Sequence, residues 1–416
     1  MGLNVDDVFR VDGITFTCSK GDILKTGITV NKARMVTTKG TPYPRVVCEV
    51  LDPYNVIGRE LRLDGSEKNV TFVVHTPQGP IGFTNMVFEK DENTDNSIYP
   101  PSDTMGGTGH FQIHTLQMVS EDLHNANKNL IPDNFVNQTP TAIVQQIASK
   151  YWLSPYGVST QVMAKPITLN AGNKHSKDVI ERVAGMFDTT HAGMNADSLL
   201  DLYFYRKGSM YKLDPFSASF NNTTPSGVYT QYDQLSGANL PFETRSKRIM
   251  NYKIKGFMNV EGRVLNVTRH IAYNLATGEV TSPFPFGTKF KMTSGIPIVK
   301  DEFAVKPHVV FAKNDPANNE TPGLMLGTAA ENRVRYLADL NQCSIEFTIP
   351  PDPNIDLGDM VNLNINDKNA RINGSSLGHI SSYDSNIYSI VYDLDLNSDN
   401  YTFTQRVTTL KPTQRL

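Results

Sequence analysis

The chain is poor in cysteine, carries a single tryptophan and lacks any long apolar run. Its 416 residues include only Cys18, Cys48 and Cys343, each alone in an apolar, strand-like stretch. Such spacing leaves no CxxC pair for a metal or redox couple, so the three read as buried free thiols of a protein made in a reducing cytoplasm. No segment approaches the roughly 20 apolar residues that cross a bilayer, and no basic-then-apolar leader opens the chain. A soluble protein without membrane insertion is expected. Lys/Arg runs flanked by aromatics are also missing, which argues against sequence-specific nucleic-acid recognition.

What is present points to β structure. Hydrophobic residues make up 39% and charged residues 19%, with 29 Gly and 24 Pro among many Asn and Thr, a globular composition rich in turns. The formal charge of −3 conceals an asymmetry: residues 1–125 hold 11 Lys/Arg against 16 Asp/Glu, residues 126–339 hold 23 against 17, and residues 340–416 hold 5 against 9. Both ends are acidic and the middle is basic.

Apolar periodicity divides the chain into four segments. Residues 1–125 read as strands and turns, with Val70, Phe72 and Val74 alternating onto one face. Residues 126–235 read as an α/β segment. Thr139 and Pro140 open one helix, and Ser176 opens a second with the stripe Val179, Val183 and Phe187. A tyrosine-rich hairpin turning at Arg206–Ser209 supplies the sheet those helices need. Residues 236–326 form a β-rich connection. Residues 327–416 begin with a helix, "GTAAENRVRYLADLNQ", and continue as strands. Among these, Val361, Leu363 and Ile365 alternate against Asn362, Asn364 and Asn366, and Phe403 and Val407 against Thr402, Thr404 and Arg406.

Several residues invite a catalytic or metal reading, and each has a simpler one. "GSSLG" places Ser376 in a GxSxG pattern beside His379, but the residues that follow alternate as a strand, where a nucleophile elbow needs a helix. His110 and His114 have the spacing of a helical metal pair, yet on an alternating strand they stand roughly 13 Å apart; His124 reads as solvent-facing. Gly106, Gly107 and Gly109 lack the Lys-Ser/Thr of a phosphate loop and read as a hinge. Asp393 and Asp395 share a strand face with no apolar pocket to raise either pKa, as a glycosidase acid would require. Asp356 and Asp359 belong to a turn that starts a strand. No catalytic residue, cofactor site or metal site is therefore expected, and the chain is not read as an enzyme.

The order of elements in the second half carries a resemblance. A capped helix and tyrosine-rich hairpin ("HSKDVIERVAGMF", "DLYFYRKGSMYKLDPF") precede "ENRVRYLADLNQ", a strand, a Pro/Asn turn, "LGDMVNLNI", "GHISSYD" and a terminal "YTFTQRV". This resembles the baseplate hub proteins of contractile-tailed bacteriophages and, more distantly, the hub portion of type VI secretion spike proteins. It covers roughly residues 40–410, and 220–320 contribute little. The resemblance implies an α+β, β-rich fold of two tail-tube-like β-barrel domains with an α/β insert between them. It further implies a homotrimeric ring in a virion baseplate, meeting the tail tube protein, the central spike protein and other baseplate proteins. DNA would pass through its channel without sequence-specific binding, past acidic faces that repel phosphate. The rival readings are a distal tail or receptor-binding tail-tip protein and a hydrolase using Ser376.

Overall fold

The computed structural model describes residues 7–39, 41–54, 56–57, 61, 66–89, 97–99, 111–160, 167–184, 187–188, 200–215, 224–232, 240–255, 259–265, 269–273, 280–281, 299–304, 344–366, 371–372, 375–376, 380–397 and 402–415. The helix expected at 327–342 lies outside them. The protein is α+β and β-rich.

The N-terminal β unit comprises β1 (Gly13–Cys18), β2 (Thr29–Thr38), β3 (Thr41–Asp52), β4 (Val70–Thr76), β5 (Gly79–Glu89) and β6 (Phe111–Ser120). The expected alternation is realised on β4: Val70, Phe72 and Val74 are fully buried, and Phe16 meets Phe72 edge-on at 5.4 Å. An α/β unit follows, with helices α1 (Glu121–Lys128), α2 (Pro140–Ile147) and α3 (Ser176–Ala184). Its strands are β7 (Asn134–Gln138), β8 (Gly157–Ser159), β9 (Ile167–Asn170), β10 (Leu200–Lys207) and β11 (Met210–Pro215). Ser120 caps α1 by accepting from Leu123 N at 3.2 Å, ahead of Glu121 and Asp122 in the positive first turn. The sequence reading missed this helix, although Ser-Glu-Asp is its signature. Thr139 caps α2 as expected, with Pro140 at the first helical position. Ser176 does something other than cap: its hydroxyl accepts from Trp152 Nε1 and donates to Ala126 O, tying α3 to the rest of the unit.

The remaining strands are β12 (Gly227–Thr230), β13 (Asn251–Lys255), β14 (Asn259–Leu265), β15 (Arg269–Tyr273), β16 (Val299–Ala304), β17 (Ser344–Ile349), β18 (Met360–Asn366), β19 (Ile380–Asp395) and β20 (Thr402–Arg415). β14, β15 and β16 form a small separate sheet with Val280–Thr281. The others build the C-terminal β unit, and two come from outside the segment first assigned to it. β12 runs parallel to β18, and β13 runs antiparallel to β17.

Among the described residues the two β units are one 14-stranded hydrogen-bonded sheet, in the order β13-β17-β20-β19-β2-β3-β6-β5-β4-β1 with the short strand Gly21–Asp22 after β1, β18 and β12 branching from β19, and Ser97–Tyr99 pairing with β6. Among the described residues the N-terminal unit does not close into a ring, because the edge of β2 that would meet β1 is paired to β19. In the C-terminal unit the two ends of the path touch at one bridge, Thr230–Arg248, flanked by Ile249 N–H on Thr230 O at 2.9 Å. A single apolar core serves both units, running from Phe16 and Met35 to Val361, Leu363, Ile365, Phe403 and Val407. A second core belongs to the α/β unit and includes Tyr43, Val87 and Val119 from the outer face of the N-terminal sheet.

Candidate functional site: the junction of three units

β19 is where the units are joined. It is 16 residues long and serves two neighbours on one edge: Ile380–Asn386 pair with β18, and Ser389–Asp395 pair with β2, while β20 lies along its other edge. Irregularities at Asp384/Asn386 and Ile387/Ser389 interrupt its register with β20 at the fork. An extra residue there bends and twists the strand, which lets one strand follow two differently oriented sheets.

The fork residues tie in the loops around them. Ile387 accepts from Gly358 N and donates to Asp359 O, both at 2.8 Å, anchoring the Ile355–Asp359 turn. Tyr388 O accepts from Lys39 N at 2.8 Å, at the tight connection between β2 and β3. Within the turn, Asp356 N donates to Asp359 Oδ2 at 2.9 Å and Leu357 N to Asp356 Oδ1 at 2.7 Å. Burial raises the Asp356 pKa, and the N–H groups of Leu357 and Gly208 oppose that rise.

The β10–β11 hairpin of the α/β unit reaches down to this turn. Its tip is a two-residue turn in which Gly208 has φ +53°, a left-handed conformation that suits glycine. Gly208 N donates to Asp356 Oδ2 at 2.6 Å, and Lys207 Nζ meets Asp359 Oδ1 at 2.5 Å. Behind the tip, Lys39 is 1% exposed, with its ammonium 4.7 Å from the Tyr205 ring centre. The Tyr205 hydroxyl donates to buried Asp214 at 3.3 Å. A cleft of about 200 Å³ opens here, with walls from all three units, including Thr37, Phe83, Arg206, Pro353, Asp356 and Tyr392.

The outer face of the seam carries ion pairs. Lys32 stands 3.6 Å from Asp395, and Asp393 sits between Arg34 at 2.7 Å and Arg406 at 3.2 Å. The register places those cations beside the two carboxylates, so this strand does not present the bare acidic face expected from composition.

The other sequence candidates are dispersed. Ser376 pairs antiparallel with Arg371, and the described chain resumes at Ile380 as a strand. His114 is buried on β6, 3.8 Å from Asp52. Asp52 in turn accepts from Tyr54, Val56 and Ile57 N–H groups. Burial lowers the His114 pKa against the opposing charge of Asp52. His124 lies on α1. Cys18 and Cys48 are free thiols, and burial raises both pKa values. His110, His379, Cys343, Gly106, Gly107 and Gly109 lie outside the described residues. Among the described residues no three His, Cys, Asp or Glu side chains are placed to share a metal ion. The sequence reading found Asp356 and Asp359 but missed Lys39. "TTKGT" reads only as a turn, and nothing local signals that a distant hairpin covers it.

No protein-family model matches the chain, and no curated protein matches it in sequence. Solved structures match in fold. The tail protein from Neisseria meningitidis MC58 aligns at 8% identity with a TM-score of 0.52, covering 95% of each chain. The 43 kDa tail protein of prophage MuSo2 from Shewanella oneidensis aligns at 10% identity and 0.49, covering 96% of this chain and 97% of that one. An E. coli type VI secretion component, described as similar in structure to the T4 tail proteins gp27 and gp5, aligns at 8% and 0.46, covering 98% and 79%. The likeness to the Neisseria protein is one of fold.

Proposed function

We propose that this chain is a structural baseplate hub protein of a contractile phage tail. Three copies form a ring that joins a sixfold tail tube to a threefold central spike, with other baseplate proteins outside it and a channel for DNA within. The observation that carries the reading is the β2–β19 seam, which fuses two β units side by side in one chain. Three such chains offer six units to a tube and three repeats to a spike, so the symmetry change is built into the polypeptide. The fold likeness to a tail protein supports the same assignment. Ion-paired charges on the seam suit a wall past which a polyanion slides, because lone cations would hold phosphate.

Native mass spectrometry and electron-microscope class averages of the purified chain test this reading. The expected result is a trimer with a central hole, alone or after adding tube and spike proteins. A monomer that stays monomeric with both partners present overturns it.

A further inference from the structure

We propose that the cleft where the three units meet is a socket for an extended segment of a partner protein, one that places an apolar side chain beside an aspartate or glutamate. The apolar side chain fills the space between two hairpin tips, and its acidic neighbour pairs with Arg206. This goes beyond the hub assignment and does not rest on it.

The cleft is built by turns that hold one another in place. One part of its wall is the β4–β5 hairpin, where Gly79 has φ +132° and a side chain on it would meet Pro353 at 3.2 Å. That close approach seats the tip on the C-terminal turn and brings Ile81 and Phe83 to the cleft. Another part is the β10–β11 tip, pinned to the same turn by Gly208 N–H on Asp356. Buried Ile355, Ile390 and Tyr392 complete an apolar lining. Pro80 and Gly208 are exposed, so the cleft is open to solvent. Its volume of about 200 Å³ is below the roughly 300–1,000 Å³ of pockets that hold whole small ligands. A space of that size suits side chains delivered on a strand.

Arg206 is the one cation among the described residues that line the cleft. Its guanidinium is positioned by neutral partners: Nη2 donates to the Tyr156 hydroxyl at 2.6 Å, Nε donates to Gly208 O at 3.2 Å, and the group lies 4.1 Å from the Tyr156 ring centre. Among the described residues no carboxylate forms an ion pair with it. Asp122 acts on it only from a distance, and that carboxylate accepts from Ser154 and Tyr211. A guanidinium already fixed in place, with N–H groups to spare, takes a carboxylate in a planar, two-pronged pair.

The rest of the wall sharpens the choice of occupant. Pro44, Pro80 and Pro353 have no backbone N–H, and the N–H of Gly208 is spent on Asp356. The charge of an entering acid is therefore met by the Arg206 side chain. Asp356 also lines the cleft, with its carboxylate held by the N–H groups of Leu357 and Gly208. A run of phosphates would bring negative charge to Asp356 as well as to Arg206, whereas a single carboxylate beside an apolar residue needs only the arginine.

Binding of capped octapeptides to the full chain, read by fluorescence polarisation, tests this. Each peptide carries Leu or Phe next to Asp in a Ser/Gly frame, and each has a twin with Asn in place of Asp. The best Asp peptide should outbind its twin by roughly tenfold or more, the worth of a hydrogen-bonded charge. Arg206→Gln should erase that preference, and Pro80→Glu, on the exposed rim, should weaken the Asp peptides more than their twins. A set in which no Asp peptide outbinds its twin overturns the proposal, as does a preference that survives Arg206→Gln. Should Arg206→Gln fail to fold, Pro80→Glu decides: a reduced preference supports the socket and an unchanged one overturns it. A thymidine oligonucleotide whose binding is lost in both variants would assign the cleft to nucleic acid, and self-association lost in both would assign it to a second copy of the chain; either overturns the proposal. The hub assignment is decided separately, by the oligomeric state of the wild type.

Discussion

The chain contains two junctions of opposite construction. The seam between the β units is a backbone ladder: seven residue pairs, from Thr38–Ser389 to Lys32–Asp395, align β2 with β19 over one shared core. The α/β unit is held down by side chains: the Tyr43–Trp152 ring contact, the Lys207–Asp359 and Gly208–Asp356 pins, and a buried lysine. A backbone ladder does not titrate and survives most single substitutions, whereas side-chain contacts can be removed one at a time. The pairing of β units is therefore the permanent feature of the chain, and the docking of the α/β unit is the adjustable one.

The largest effect should come from the core that serves both β units. Phe403 is fully buried, 6.2 Å from the Tyr392 ring, and Phe403→Ala should cost about 3–5 kcal/mol through lost burial and a residual cavity. Because both β units use this core, circular dichroism should report one lowered β-sheet denaturation midpoint. A β-sheet transition that splits into two steps would break the view that the two β units unfold together.

A smaller and local effect is expected at the hairpin tip. Lys207 and Asp359 are partly buried, so Asp359→Asn should cost about 1–2 kcal/mol, between an exposed pair and a fully buried one. The Trp152 transition should shift to lower denaturant while the β-sheet transition keeps its midpoint. Equal shifts in both would mean that the hairpin is integral to the sheet.

The N-terminal unit has an acid sensitivity of its own. Burial depresses the folded-state pKa of His114, so the unfolded chain takes up this proton first as pH falls. Stability contributed by the neutral imidazole is present above about 6.5 and declines as pH drops below it, by at most about 1.4 kcal/mol per pH unit for one proton. Thermal melts between pH 7 and 5 should show this decline, and His114→Gln should flatten it. An unchanged slope in the variant would assign the sensitivity to other groups.

The sequence was legible where one residue's surroundings are local or periodic. Val361, Leu363 and Ile365 alternate into the core as their pattern predicts, and Thr139 and Pro140 mark α2. It was opaque where partners are distant. β12 and β13 read as parts of other segments because their partners, β18 and β17, are supplied from far along the chain. The acids of β19 read as a bare edge because nothing near them in sequence names Lys32 and Arg34 as neighbours. Lys39 was invisible for the same reason, since its burial is created by a hairpin that follows a whole intervening unit.

The smallest predicted effect sharpens the contrast between the junctions most directly. Arg34–Asp393 is the shortest of the ion pairs at the seam, at 2.7 Å, yet its side chains are 57% and 36% exposed. Water and salt screen such a pair, so Arg34→Ala should cost less than about 1 kcal/mol, and less still at high ionic strength. Asp393 would retain Arg406 at 3.2 Å, which limits the loss further. If the ladder and the common core hold the seam, the variant's denaturation midpoint should nearly match the wild type and its response to added salt should be weaker. A loss as large as that expected for Phe403→Ala would reverse this picture. It would place the bond between the β units in their outward charges, where pH and ionic strength could release it.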